Sequence, residues 1–252
     1  MNKKQEIVTF SLDPSIKGVP YRLRMARYQA IGETVSDFIR KYDTKGSQLK
    51  ILDVGGDEGR ILRHIEAYPN AKDVRCDLID LFPKGSDGVY KKENRKLYTA
   101  DFETDGLKEI PDNTYDVAIC EQVMEHLHHP EFLASEIHRV LKVGGMAILG
   151  VPSFPYGVHW FRIYLVPLLD KVFAKKKVRS HVQGFCLSTF TRLVKKSGNW
   201  KIQSRRGFRI ISGGILRKLE FYRWWWRFNR FLGSLIPCMC IEVQLVVVKK
   251  AC

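Results

Sequence analysis

The chain has 252 residues, 45% of them apolar and 27% charged, which is enough to bury a sizeable core and too apolar for a chain that stays mainly disordered. Its net charge is +15, and residues 157–230 account for it, with 18 Lys and Arg against only Asp170 and Glu220 and with all five Trp. The rest is almost neutral, so an anionic partner is expected at one region and not over the whole molecule: a membrane surface, nucleic acid or a phosphorylated substrate.

The predicted elements begin with a helix over 25–42, where Tyr28, Ile31, Val35, Phe38, Ile39 and Tyr42 share one side. Residues 49–54 read as a buried strand that runs into Gly55-Gly56, and 60–67 as the helix behind it. Strands follow over 74–81, weakly over 97–100, and over 115–120. The spacing of Phe132, Leu133, Ile137, Val140 and Leu141 predicts a helix over 131–141, stopped by Gly144-Gly145. A fifth strand covers 146–151. Beyond Pro152, residues 158–173 are apolar and aromatic, Lys175-Lys176-Lys177 follows, and 188–196 reads as a helix. Strands over 200–205 and 240–248 flank a long aromatic helix, 215–236, ended by Pro237.

Alternating strands and helices imply βαβ units. The expected fold is α/β: a doubly wound, Rossmann-like, seven-stranded, mostly parallel sheet with a helical, basic-aromatic cap insertion. The division is an N-terminal helical segment (1–48), a core (49–152), a cap insertion with its helix (153–198), and C-terminal strands with the basic aromatic helix (199–252). No apolar run reaches the ~18 residues of a membrane-spanning helix, and the polar start gives no secretory signal. Cys76, Cys120, Cys186, Cys238, Cys240 and Cys252 are spaced neither for zinc nor for a disulfide framework. A reducing, cytoplasmic setting is expected.

Ligands of such sheets bind beyond the carboxyl ends of the strands. Those ends are acidic here: Asp53, Asp80, Asp101 and Glu121-Gln122. The turn Gly55-Gly56-Asp57-Glu58-Gly59 lets backbone approach a ligand closely, but its carboxylates suit an ammonium or sulfonium group better than a pyrophosphate. Asp80 can accept both hydroxyls of a ribose, with Asp77 as the competitor. Asp101-Phe102 stands where a carboxylate could take an exocyclic amine and a ring pack on a base.

Residues 49–152 resemble a class I S-adenosylmethionine-dependent methyltransferase. Ile51-Leu52-Asp53-Val54-Gly55 to Gly59 is similar to the family's first motif, 110–117 to its loop into the fourth strand, and Val123-Met124-Glu125-His126-Leu127 with 137–145 to its next helix and glycine turn. The resemblance implies S-adenosylmethionine as cofactor. Asp53, Gly55 and Gly59 would cradle its methionine part, Asp80 the ribose, and Asp101 and Phe102 the adenine; Gly56, Asp57, Glu121 and Gln122 join them as expected cofactor-binding residues. Asp57 stands where the family's middle glycine is usual.

Glu121, Glu125, His126, His128 and His129 crowd one segment. Gln122 occupies the position that a metal-binding pattern would give to Glu, so no metal is expected. Methyl transfer to oxygen needs a base, and His126 and His181 are the candidates; a structural histidine is the alternative for each. In the 215–236 helix, Glu220, Arg223, Arg227, Arg230 and Ser234 form a narrow polar stripe, and Leu219, Trp224, Trp225, Trp226, Phe228 and Phe231 belong to an apolar arc too wide for an ordinary surface helix. A membrane interface suits that chemistry. The alternatives are an internal lid and single-stranded RNA, the latter disfavoured because Glu121-Gln122-Val123-Met124 is unlike the stretch that base-amine methylation uses. The expected function is methylation, at oxygen, of an amphipathic or lipid-linked acceptor on an anionic membrane surface, the protein being peripheral on the inner face of the cell membrane. A soluble RNA or small-molecule methyltransferase, and a binding protein with a defunct cofactor site, remain open.

Overall fold

The computed structural model describes residues 22–41, 48–57, 59–71, 74–82, 95–155, 182–210, 216, 218–219 and 222–251. The predicted aromatic stretch 158–173, Lys175–Lys177, Glu58, Glu220 and the candidate base His181 lie outside them.

Seven strands form one sheet: β1 (Lys50–Val54), β2 (Arg75–Asp80), β3 (Leu97–Thr99), β4 (Tyr115–Glu121), β5 (Leu141–Pro152), β6 (Trp200–Phe208) and β7 (Glu242–Lys249), in the order β3-β2-β1-β4-β5-β7-β6. The pairs among β1 to β5 are parallel, and β7 runs antiparallel to both β5 and β6. This is the mostly parallel, Rossmann-like sheet that the alternation predicts.

Strand alternation divides the core. Leu52, Ala118, Cys120, Ala147 and Leu149 face one way, toward helices α3 (Pro130–Val140) and α4 (Leu187–Lys196). Ile51, Val117, Ile119, Met146 and Ile148 face the other way, toward Ile31 and Val35 of α1 (Arg22–Lys41) and Ile61, Leu62 and Ile65 of α2 (Arg60–Glu66). Successive strand side chains point to opposite faces, so near-continuous apolar strands need helices on both sides. The small residues Ala26 and Ala30 of α1 admit Trp225 and Trp226 of α5 (Arg223–Leu235) and Phe208 of β6.

Two expectations change. Gly144-Gly145 does not stop α3, which ends at Val140; Leu141 caps it in extended conformation and already opens β5. The glycines lie inside that strand, at the irregularity between the pairs Tyr115–Leu141 and Val117–Met146, and Gly144 has φ +80°, which glycine adopts readily. The aromatic helix starts at Arg223 and not at 215, because Tyr222 is extended (φ −102°, ψ 131°).

Candidate active site

The strand order reverses between β1 and β4, the switch point at which doubly wound sheets bind ligands. Asp53, one residue before the end of β1, is fully buried, and neither carboxylate oxygen has a hydrogen-bond partner. Its carboxylate lies directly under the glycine turn: a Cβ added to Gly56 would come within 2.6 Å of Oδ2. Burial pushes its pKa up to about 7, with Arg95 pulling the other way and Asp80 and Glu121 adding to the rise. A cationic group arriving over the turn would favour the ionised form.

Asp57 takes the left-handed conformation, φ 45°, that a glycine would supply at no steric cost. Its N–H donates to Asp80 Oδ2 at 2.9 Å, and the N–H of Phe82 donates to Asp80 Oδ1 at 3.1 Å. Asp80 is thus fixed at the mouth of the turn and keeps lone pairs for hydroxyl donors. Asp77 has no such freedom. It is buried within β2 and accepts from Arg75 Nε at 2.9 Å, Lys96 N–H at 2.8 Å and Tyr115 O–H at 2.8 Å.

Asp101 caps its own turn, Oδ1 accepting the Glu103 N–H at 2.9 Å, and the Phe102 ring belongs to the main core. Gln122 has φ 62° and donates its N–H to Gly150 O at 2.9 Å; its side-chain Nε2 is buried without a hydrogen-bond partner. His126 ends the short helix Met124–His126 with an exposed ring, its Nε2 3.8 Å from Glu125 Oε1. His128 and His129 are exposed. Among the described residues, no group of three or more His, Cys, Asp and Glu is placed to hold a metal ion.

Glu121 has partners that the sequence does not announce. Its side chain lies over Gly150 of β5, in a buried ionic cluster. Arg27 Nε of α1 lies 3.2 Å from Glu121 Oε1, and Gln244 Nε2 donates to Oε2 at 2.9 Å. Arg27 Nη1 also donates to Glu242 Oε1 at 2.8 Å, which accepts from Arg209 Nη1 at 3.0 Å. Glu125 lies next to this group, buried, with neither oxygen hydrogen-bonded. Burial raises the pKa of both Glu121 and Glu125 to about 7; Arg27 opposes the rise at each. Burial also works against the charge of Arg27, but Glu242 and Glu121 outweigh it and hold its pKa above the usual arginine value. Sequence reading missed Arg27, Glu242 and Gln244. The polar alternation Glu242-Val243-Gln244 in an otherwise apolar strand was the available signal, with nothing in it to name Arg27, 215 residues away.

A family model described as a methyltransferase domain matches residues 23–203. The chain belongs to the methyltransferase-domain family. It carries a class I S-adenosylmethionine-dependent methyltransferase domain, and the matched span runs from α1 into β6. An uncharacterized methyltransferase of Schizosaccharomyces pombe is 31% identical over 120 residues, a match covering 45% of this chain and 42% of that protein, so less than half the length of this relative is represented. Among solved structures, a putative methyltransferase from Bacillus halodurans is 16% identical with a TM-score of 0.57, covering 86% of this chain and 99% of its own. A putative sarcosine dimethylglycine methyltransferase from Galdieria sulphuraria is 16% identical with a TM-score of 0.57, covering 91% and 86%. At such identities the likeness speaks for the fold alone.

The residues at the switch point fit the cofactor that the family implies. The unpartnered Asp53 carboxylate under the turn suits a cationic methionine portion, and the open lone pairs of Asp80 suit a ribose.

Proposed function

We propose that this methyltransferase modifies an oxygen of an amphipathic, lipid-linked acceptor while resting on an anionic membrane surface. The observation that carries this reading is the outer face of α5. Trp224, Phe228, Phe231 and Leu235, at spacings of four, three and four, are 56%, 41%, 60% and 61% exposed. They form one apolar stripe that continues into the exposed Ile236 and Met239, with exposed Arg227 beside it. Helix positions so spaced share a face, and a continuous apolar patch of this kind marks an interaction surface. Aromatic rings with an arginine alongside suit the headgroup boundary.

The structure revises the expected contact set. Trp225 and Trp226 are buried against α1, and Arg230 is spent on Glu33 through two bonds of 3.0 and 2.7 Å while lying over the Trp226 ring. Membrane contact therefore falls to Trp224, Phe228, Phe231 and Leu235. Among the described residues, no helix is long and apolar enough to cross a membrane.

S-adenosylmethionine, when bound, supplies an activated methyl group, so this chain has only to align an acceptor and remove its proton. His126 stands at the carboxyl end of β4 with Glu125 behind it and takes that proton at Nε2; the Glu125 carboxylate stabilises the imidazolium that results. The experiment is flotation with liposomes. The wild type should float with anionic vesicles and less with neutral ones, and release partly in high salt. Trp224→Ser with Phe231→Ser should abolish flotation and leave S-adenosylmethionine binding unchanged. A wild type that stays in the soluble fraction at low salt sinks the membrane reading.

A further inference from the structure

A cavity of about 770 Å³ lies between α4, β6 and the turn Pro237–Met239, apart from the glycine turn. Ser188, Thr191, Arg192, Lys195 and Lys196 line it at spacings of three, one, three and one along α4, which is a single helix face. Arg205 of β6 completes the lining cations. The described lining residues include no carboxylate, and none of these four cations forms an ion pair among the described residues. Thr191 Oγ1 is buried there without a hydrogen-bond partner. Four like charges around one hollow repel each other, and an anion in their midst relieves the repulsion. Arginine pairs with phosphate through two parallel N–H donors, while lysine acts as a point charge.

We infer that this cavity binds a phosphoryl group, and that the phosphoryl group belongs to the methyl acceptor. That the ligand is the acceptor rests on the proposed function; its anionic character does not. Two connections join the cavity to the rest of the site. Cys238, in its lining, belongs to the turn that directly continues the exposed apolar stripe of α5, so an apolar tail along that stripe leads to the cavity. On the other side, Cys186 in the lining is four residues from Val182, whose N–H donates to Glu125 O at 2.8 Å, beside His126. Four residues span at most about 14 Å. One elongated molecule can therefore hold its phosphoryl group in the cavity and offer a hydroxyl to His126.

The test is calorimetry on the full chain at low salt with three probes: dihexanoyl phosphatidic acid as a monomer, inorganic phosphate, and the matching diacylglycerol. Saturable binding of one phosphatidic acid per chain is expected, weakened at least tenfold by Arg192→Glu with Arg205→Glu and to an intermediate degree by Arg192→Gln with Arg205→Gln. Lys201→Glu with Lys250→Glu makes the same charge change at exposed positions outside the cavity and should leave the affinity unchanged. Inorganic phosphate binding as tightly as the lipid would support the phosphoryl site, identify a free phosphate as its ligand and overturn the assignment to the acceptor; a clear preference for the lipid identifies a headgroup and supports both halves. Absence of saturable binding by either phosphate probe, equal binding of the diacylglycerol, or an equal loss in the Lys201/Lys250 variant overturns the inference. S-adenosylhomocysteine binding is measured alongside. Its retention in the Arg192/Arg205 variants shows that they are folded, and its absence in the wild type counts against the methyl-transfer reading alone.

Discussion

The two halves of the sheet reach their polar ends by different routes. On the β3-β2-β1 side, each candidate group comes from the last residues of a strand or the few that follow it, and the turn Gly55 to Gly59 spans only five consecutive positions. On the β5-β7-β6 side, the polar group is assembled from α1, β4 and β7, with Arg27 reaching Glu242 across 215 residues of sequence. The first half is legible as a motif. The second exists only once the antiparallel β7 has been inserted between β5 and β6 and α1 laid over it. A local site survives the loss of one side chain with its frame intact, whereas an assembled site holds the frame together.

That difference sets the order of effects. Arg27→Ala should be the most damaging change, at about 3–5 kcal/mol, because it leaves Glu121 and Glu242 buried without their shared cation; denaturant melts measure it, and a loss under 1 kcal/mol would show the cluster to be incidental. Trp225→Ala should cost about 3–5 kcal/mol, since the ring is only 6% exposed against α1. Its neighbour Trp224→Ala should stay within about 0.5 kcal/mol and be felt in flotation instead. If the two behave alike, α5 does not have the inner and outer faces described.

On the other half, Asp80→Ala should leave the melting curve almost unmoved and weaken S-adenosylmethionine binding by about 1.5–3 kcal/mol, the value of hydrogen bonds to a charged acceptor. Asp77→Ala should do the reverse, because Asp77 is bonded to Arg75, Lys96 and Tyr115 inside the sheet. Calorimetry on both variants separates the roles, and a larger binding loss at Asp77 would move the ribose site to it.

The raised carboxyls make a prediction that spans both halves. Asp53, Glu121 and Glu125 each have a pKa raised by burial to about 7, against about 4 in an unfolded chain. Between those values the native state binds more protons. The stability each contributes is complete below pH ~4 and is lost as pH rises through about 7, at a slope of at most about 1.4 kcal/mol per pH unit per group. Melts between pH 5 and 8 should show this fall, and Asp53→Asn should reduce the slope without abolishing it. A flat profile would mean that these carboxyls are solvated. An effect of the opposite sign belongs to Asp57→Gly. It should stabilise the chain by about 1 kcal/mol, the cost of placing an L-residue in the left-handed region, and chemical denaturation can read it.

Much of the fold was legible because periodicity reports burial directly. Ile51, Leu52 and Val54 had to be a buried strand, and Leu133, Ile137 and Val140 had to be one face of a helix. Boundaries failed where a residue has two readings. Gly144-Gly145 looks like a helix stop and is a strand irregularity, and Tyr222 carries no sign of the extended conformation that opens α5 at Arg223.

The sequence by itself determined the alternation of strands and helices that makes a doubly wound sheet, the acidic carboxyl ends, the glycine turn and the concentration of positive charge, since each is written in adjacent residues or in composition. Only the tertiary structure decided which way the side chains face. It paired Glu121 with Arg27, put Trp225 inside and Trp224 outside, joined Arg230 to Glu33, and gathered Arg192, Lys195, Lys196 and Arg205 around one cavity. A carboxylate, an indole or a guanidinium has the same chemistry in either direction. Its role is set by what stands opposite, and that is fixed by contacts between residues far apart in the chain.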